Sequence, residues 1–236
     1  MSILSLTTQV LRDPDAVAQT DDPRTLAQVA PPLLLLALGG AALLGAAAGS
    51  GHGPLQSAFA AVKLPALFLA PPLVVLPLVH ALAEVCEVPV GWRRLGLSAM
   101  AGLARSGLLA AAAAPLLWLP LSLDTDYHLA ILLFVATFMM VTMPALSLLS
   151  RAVPRGGTLR WVAVPALALV LGLVVAQTGW VLRPFVARPK AEVTFLRPVE
   201  ADVFSALGAT SRSAAGDYRQ DWAPASAGVW RDRSRE

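Results

Sequence analysis

A long, mainly apolar run, "WVAVPALALVLGLVVAQTGWVL", occupies residues 161–182 and is followed at once by "RPFVARPK" at residues 183–190. A helix of about 20 apolar residues spans the roughly 30 Å hydrocarbon core of a bilayer. Trp180 is typical of a membrane interface, Arg183 suits the negative end of a helix dipole, and Pro184 prevents the helix from continuing. The stretch therefore predicts a transmembrane helix with an anchor and a stop.

The rest of the chain has the same character, with 56% hydrophobic and only 14% charged residues. Soluble domains carry about 25% charged residues. We therefore predict an all-α integral membrane protein, a bundle of about five transmembrane helices that begins in the run "PPLLLLALGGAALLGAAAG". The five predicted spans are residues 31–49, 64–85, 97–120, 127–149 and 161–182.

This pattern divides the chain into three parts. Residues 1–30 form a cytoplasmic or interfacial N-terminal segment, residues 31–185 the five-span domain, and residues 186–236 an extramembrane tail that is partly ordered and then flexible. The N-terminal segment lacks a basic start and contains four Asp residues, which argues against a cleaved signal peptide. The spacing of Ile3, Leu6, Val10 and Leu11 fits a short helix on the membrane surface, and a frayed terminus stays open.

Charge placement predicts the orientation of the spans. With five spans, Arg24, the Arg93–Arg94 pair and the arginines between the last two spans share one side, whereas the other side offers only Lys63 in its short loops. The positive-inside rule then predicts a protein of the cytoplasmic (inner) membrane with its N-terminus in the cytoplasm, although the basic tail opposes this orientation. The net charge of +3 reflects helix-end anchoring, so we expect the lipid bilayer and no nucleic acid as a partner.

The second span contains Pro65, Pro71, Pro72 and Pro77. Proline removes a helix hydrogen bond and clashes with the preceding turn, so the pattern predicts a kinked or partly unwound, proline-broken helix. The preceding stretch, residues 52–63, is predicted to form a separate interfacial turn of helix, with Lys63 reaching the headgroups.

Polar residues inside spans are candidates for function because they are costly there. His80 and Glu84 share a helix face and, with His128, offer a possible metal or proton-relay set, but solvation at a helix end is favoured. Arg105 is expected to snorkel or to pair with Glu84 or Glu87, and Gln177 to hydrogen-bond across helices. We expect no catalytic residue, no cofactor and no metal. The intramembrane candidates are Lys63, His80, Glu84, Arg105 and Gln177.

Small residues recur at every fourth position on two spans and predict surfaces where helix backbones approach closely. Packing inside the bundle is favoured for both stripes, with contact to another subunit as the alternative. Met139, Met140 and Met143 are expected to fill gaps. The two stripes are Ala41, Gly45 and Gly49, and Ala168, Gly172 and Ala176.

The C-terminal tail is unusual in carrying aromatic residues among Ser, Ala, Gly and Arg. Such residues suggest contact with a partner or the membrane surface, and packing on the protein itself is an equal alternative. The candidates for partner or lipid contact are Trp180, Arg183, Phe185, Arg188, Trp222 and Trp230.

Three stretches resemble a known family: "VLRDPDAVA" at residues 10–18, "AVKLPALFLAPPLVVLPLVHAL" at 61–82 and "AQTGWVLRPFVARPKAEVTFLRP" at 176–198. They are similar to the Yip-type five-span membrane family, and more closely to an uncharacterised bacterial branch whose last helix ends in Trp-x-Leu-Arg-Pro-Phe. The resemblance implies a five-helix bundle with a cytoplasmic N-terminus and implies no particular activity.

Three features of the sequence bear on function. The sparse polar groups, the small-residue stripes and the aromatic, basic tail favour a non-catalytic structural, assembly or accessory subunit of a larger membrane complex. The alternative is a small transporter or channel that uses the proline-broken second span. Motifs of common enzymes, such as Gly-x-Ser-x-Gly or His-Glu-x-x-His, do not occur in the sequence, so an enzyme is not expected.

Arg183 provides a first testable prediction. Because a guanidinium at the membrane interface pairs well with a phosphate, Arg183→Ala is expected to lower the amount of anionic lipid that remains bound through purification. Native mass spectrometry of the two proteins measures the retained lipid. Equal retention by Arg183→Ala would remove the hypothesis.

Overall fold

The computed structural model describes residues 3–18, 23–85, 91–123, 125, 127–152, 159–186 and 195–196. The chain divides after Pro198, and all the described residues belong to the first unit. In these ranges the protein is helical and has no strand. The all-α prediction is therefore confirmed.

Five of the described helices are long and apolar enough to cross a membrane, as predicted. They follow two shorter N-terminal helices, and a turn of 3₁₀-helix at Ser50–His52 joins the first two spans. The helices are α1 Ile3–Arg12, α2 Pro14–Ala18, α3 Pro23–Gly49, α4 Pro54–Val85, α5 Trp92–Leu121, α6 Tyr127–Ala152 and α7 Leu159–Leu182.

Contacts at the helix ends give the up-and-down order of the spans. Gly51, in the turn between α3 and α4, lies near the last carbonyl of α5 at Leu121. The residues that follow α7 lie against the first turns of α4 and α6. Consequently α3, α5 and α7 end on the side of the bundle where α4 and α6 begin.

The second span is one helix of 32 residues, so the predicted unwinding is wrong, and the predicted kink stays a prediction. Each proline removes one N–H donor and crowds the preceding turn, but in a membrane a helix that keeps its other hydrogen bonds has no better alternative. The helix is also fixed from one side, because Leu64, Leu67 and Phe68 are buried in the core. The interfacial turn predicted for residues 52–63 is wrong as well, since residues 54–63 are the first turns of α4.

Glycine residues allow the backbone of α3 to approach the backbones of α4 and α5 closely. A Cβ at Gly40 would clash with the backbone of Gly107 on α5, and a Cβ at Gly107 would clash with Leu36 and Ala37 on α3. On the α4 side, a Cβ at Gly45 would clash with the carbonyl of Ala60. Such close approach increases van der Waals contact, which is a main force between helices in lipid.

The outer helices are covered much less. In its most apolar window, 56% of α5 is buried, against 22% of α6 and 6% of α7. Met139, Met140 and Met143 of α6 are exposed, so the prediction that they fill gaps is wrong. A bilayer is the environment that suits these faces.

The N-terminal helices pack on the bundle, and the frayed-terminus alternative is wrong. Leu6 and Val10 of α1 and Val17 of α2 are buried in one cluster with α3, α5 and α6. Asp15 of α2 also forms an ion pair with Arg151 at the end of α6, at 2.9 Å.

The neighbouring glycines Gly39 and Gly40 offer a matched test of the α3–α5 contact. Alanine is favoured over glycine in a helix by about 1 kcal/mol. Gly39→Ala, where a Cβ meets open space, is therefore expected to leave stability unchanged or raise it. Gly40→Ala is expected to destabilise the protein by about 1–3 kcal/mol, as overpacking does.

Thermal unfolding in mild detergent, followed by size-exclusion chromatography of the heated samples, measures both variants. Equal melting temperatures for Gly39→Ala and Gly40→Ala would contradict the glycine contact.

Candidate functional site

Two polar side chains on the first turns of α4 are completely buried. Gln56 and Lys63 are seven residues apart and therefore lie on one helix face, with exposed fractions of 0% and 1%. Lys63 does not reach the headgroups, so the prediction that it snorkels is wrong. Its side chain ends inside the protein.

Both side chains bind the segment that follows α7. The amide nitrogen of Gln56 donates hydrogen bonds to the carbonyl oxygens of Pro184 and Phe185, each at 3.1 Å. The ammonium of Lys63 donates to the same Pro184 oxygen at 3.1 Å. We call Gln56, Lys63 and these two carbonyls the clamp.

The clamp supplies hydrogen-bond donors to backbone carbonyl groups that follow α7. Residues 183–186 are not helical, and Pro184 and Phe185 are buried, so their carbonyl groups need hydrogen-bond donors from the protein. Lys63 adds a positive charge near the carbonyl-rich end of α7, where the helix dipole favours cations. Hydrogen bonds from a charged donor contribute about 1.5–3 kcal/mol.

Aromatic rings enclose the clamp. Phe185 stacks on Phe134 of α6 with ring centroids 5.4 Å apart. Phe195 lies edge-on to Phe59 of α4 at 5.1 Å, and the Lys63 ammonium is 5.0 Å from the centre of the Phe195 ring. The chain beyond α7 therefore returns to α4, and the cation contacts an aromatic face as well as a carbonyl.

One group of the clamp has no hydrogen-bond partner among the described residues. The side-chain oxygen of Gln56 is buried and accepts no hydrogen bond within the described residues. In the same part of the chain, no carboxylate pairs with Lys63. The clamp therefore holds backbone, and its hydrogen bonds show a structural use of both side chains.

Trp180 and Arg183 form a second contact at the end of α7. The Arg183 guanidinium lies 3.7 Å from the centre of the Trp180 ring, which is a cation–π contact. The lipid-phosphate hypothesis for Arg183 stays a prediction.

The polar pair at the other end of α4 is separate from the clamp. His80 lies 4.0 Å from Glu84 and 4.1 Å from the ring of Trp92 at the start of α5. Seventeen residues of helix, about 25 Å, separate His80 from Lys63. The His128 side chain lies outside the described residues, and within them no three His, Cys, Asp or Glu side chains are grouped for a metal.

Two further candidates are not brought into either cluster. Arg105 is partly buried on α5 and forms no ion pair with Glu84 in the described ranges. The side-chain oxygen of Gln177 is buried without a hydrogen-bond partner there, so the predicted bond across helices is not formed by this atom. Glu87, Arg188, Tyr218, Trp222 and Trp230 lie outside the described residues.

The sequence singled out Lys63 and Phe185, but for contacts with headgroups and with a partner or lipid, which is wrong because both are buried inside the protein, and Gln56 was missed. The available signal was the seven-residue spacing of Gln56 and Lys63, which puts both on one face. The two backbone carbonyls of the clamp could not be predicted from the sequence, because every residue has a backbone carbonyl. Comparison of the chain with family models, curated proteins and solved structures gave no match.

A double-mutant cycle tests the clamp. After Gln56→Leu or Lys63→Met alone, the Pro184 oxygen keeps one donor. After both changes it has none, so the double variant is expected to lose about 1–2 kcal/mol more than the sum of the single losses. Unfolding in mixed detergent micelles measures the four free energies.

The matched control replaces Gln177, which takes no part in the clamp. Gln177→Leu combined with Lys63→Met is expected to be additive within about 0.5 kcal/mol. Additivity in the Gln56 cycle as well would show that the two side chains do not share an acceptor.

Proposed function

We propose that the protein is a non-catalytic, multi-pass membrane protein that serves as a structural, assembly or accessory subunit of a larger membrane complex. One observation carries the proposal. The small-residue stripe of α3 is used inside the bundle, whereas that of α7 faces outward, since Gly172 and Ala176 are exposed and a Cβ at Gly172 would meet open space.

An outward stripe suits a protein partner better than lipid. Lipid chains adapt to large side chains, whereas a second helix gains contact when small residues let its backbone come near. Exposed Leu169 and Leu173 lie beside the stripe and can enclose such a helix. The exposed methionines of α6 add flexible apolar surface, which is common where proteins bind partners.

The alternative of a small transporter or channel has lost its main support. It rested on a broken second span, and α4 is unbroken. Lys63 is used in the clamp, and His80 and Glu84 lie near the other end of α4. The polar candidates therefore do not form a continuous path along α4.

The orientation and family membership are part of the same proposal. The placement of arginines supports a cytoplasmic membrane location with the N-terminus inside. Membership of the Yip-type family rests on the sequence resemblance.

Purification through an N-terminal tag in mild detergent, with native mass measurement, tests the proposal. The wild type is expected to bring down partner proteins in fixed ratio, and Gly172→Leu to lose them by about tenfold or more, which corresponds to about 1.4 kcal/mol. A lone wild-type monomer or homo-oligomer would sink the proposal.

The control variant is Gly39→Leu, because Gly39 is also an exposed helix glycine with open space for a side chain. It is expected to keep the partners. If both leucine variants keep them, α7 is not the contact, and deletion from Glu192 onward then tests whether the tail is.

A further inference from the structure

Helix α1 has three distinct sides. At 100° per residue, Leu6 and Val10 point in one direction and are buried against the bundle. Leu4 and Leu11, which are seven residues apart, point in a second direction and are 80% and 43% exposed. Ser5 and Arg12 lie on a third side and are exposed.

Thr8 adds little polarity to the second side of α1. Thr8 lies between Leu4 and Leu11 on the helix surface, and its hydroxyl donates a hydrogen bond to the Leu4 carbonyl at 2.9 Å. A hydroxyl satisfied by its own helix does not need water. This side is called the Leu4–Leu11 face.

The depth of α1 follows from what it contacts. Its cluster includes Leu33 of α3 and Leu148 of α6. Leu33 comes six residues after Ala27, where the α3 span begins, and Leu148 three residues before Arg151, where the α6 span ends. At 1.5 Å per residue these contacts lie about 5–9 Å inside the span ends, which is the depth of interfacial helices.

The orientation of α1 is fixed at its C-terminal end. Asp13 accepts a hydrogen bond from the backbone N–H of Ala16 at 3.1 Å and so caps α2. Asp15 pairs with Arg151. These contacts, with buried Val17, hold α2 in place, so α1 cannot rotate freely.

We propose that the Leu4–Leu11 face inserts among the acyl chains of the leaflet, while Arg12 on the neighbouring side reaches the phosphate headgroups. The occupant follows from the depth of α1. The helix packs on Leu33 and Leu148, which lie within the apolar spans, so its outward apolar face lies at the level of the membrane. The buried apolar side of α1 thus contacts protein, the Leu4–Leu11 face contacts lipid, and the side with Arg12 contacts the charged headgroups.

Spin labelling of the full chain tests the proposal. Cys86 is the only cysteine, so Cys86→Ser gives a background in which Leu4→Cys, Leu11→Cys and Ser5→Cys each carry one label. The proteins are reconstituted in vesicles of phosphatidylcholine and phosphatidylglycerol. Power saturation then compares access of oxygen, which concentrates in lipid, with access of a water-soluble nickel chelate.

Labels at positions 4 and 11 are expected to be more accessible to oxygen than to nickel, and the label at position 5 to show the reverse. Nickel access at positions 4 and 11 equal to that at position 5 would mean that the face meets water. Immobile labels that neither reagent reaches would mean that protein covers it. Either result overturns the proposal, and it does so independently of whether α7 binds a partner.

Discussion

The close approach of α3 to two neighbours is the constraint on which the bundle depends. In lipid there is no hydrophobic gain from bringing two apolar helices together, so van der Waals contact between backbones must supply much of the attraction. Gly40 faces Gly107 of α5, and Gly45 faces Ala60 of α4. The glycine surfaces of α3 therefore join it to both α4 and α5, whereas α6 and α7 are covered less.

The outer helix α7 is held by a different kind of interaction. Its apolar window is almost uncovered, so packing alone contributes little. The clamp instead joins the non-helical residues after α7 to α4 through Gln56 and Lys63. Phe185 and Phe134 extend the junction to α6. Polar contacts at one end therefore compensate for sparse packing along the length of α7.

The sequence predicted the spans well because hydrophobic length is a direct physical requirement of the bilayer. Proline rules from soluble helices predicted a kink or partial unwinding of α4, and the unwinding is wrong because the membrane favours a continuous helix. The prediction for Lys63 was wrong because the neighbouring sequence does not show whether a lysine near a span end contacts water or a backbone carbonyl from a distant part of the chain. The two small-residue stripes looked alike in sequence, and only the packing of α3 against α4 distinguishes the covered stripe from the open one.

The clamp has a consequence for the order in which the chain assembles. Lys63 enters the membrane with α4, but its carbonyl partner follows α7 and is synthesised much later. A lysine within an inserting helix costs up to about 3 kcal/mol. The first spans must therefore carry this cost, or keep Lys63 near the water boundary, until the last helix arrives. Completion of the fold therefore waits for α7, and a chain that stops before α7 leaves the Lys63 ammonium without its carbonyl acceptor.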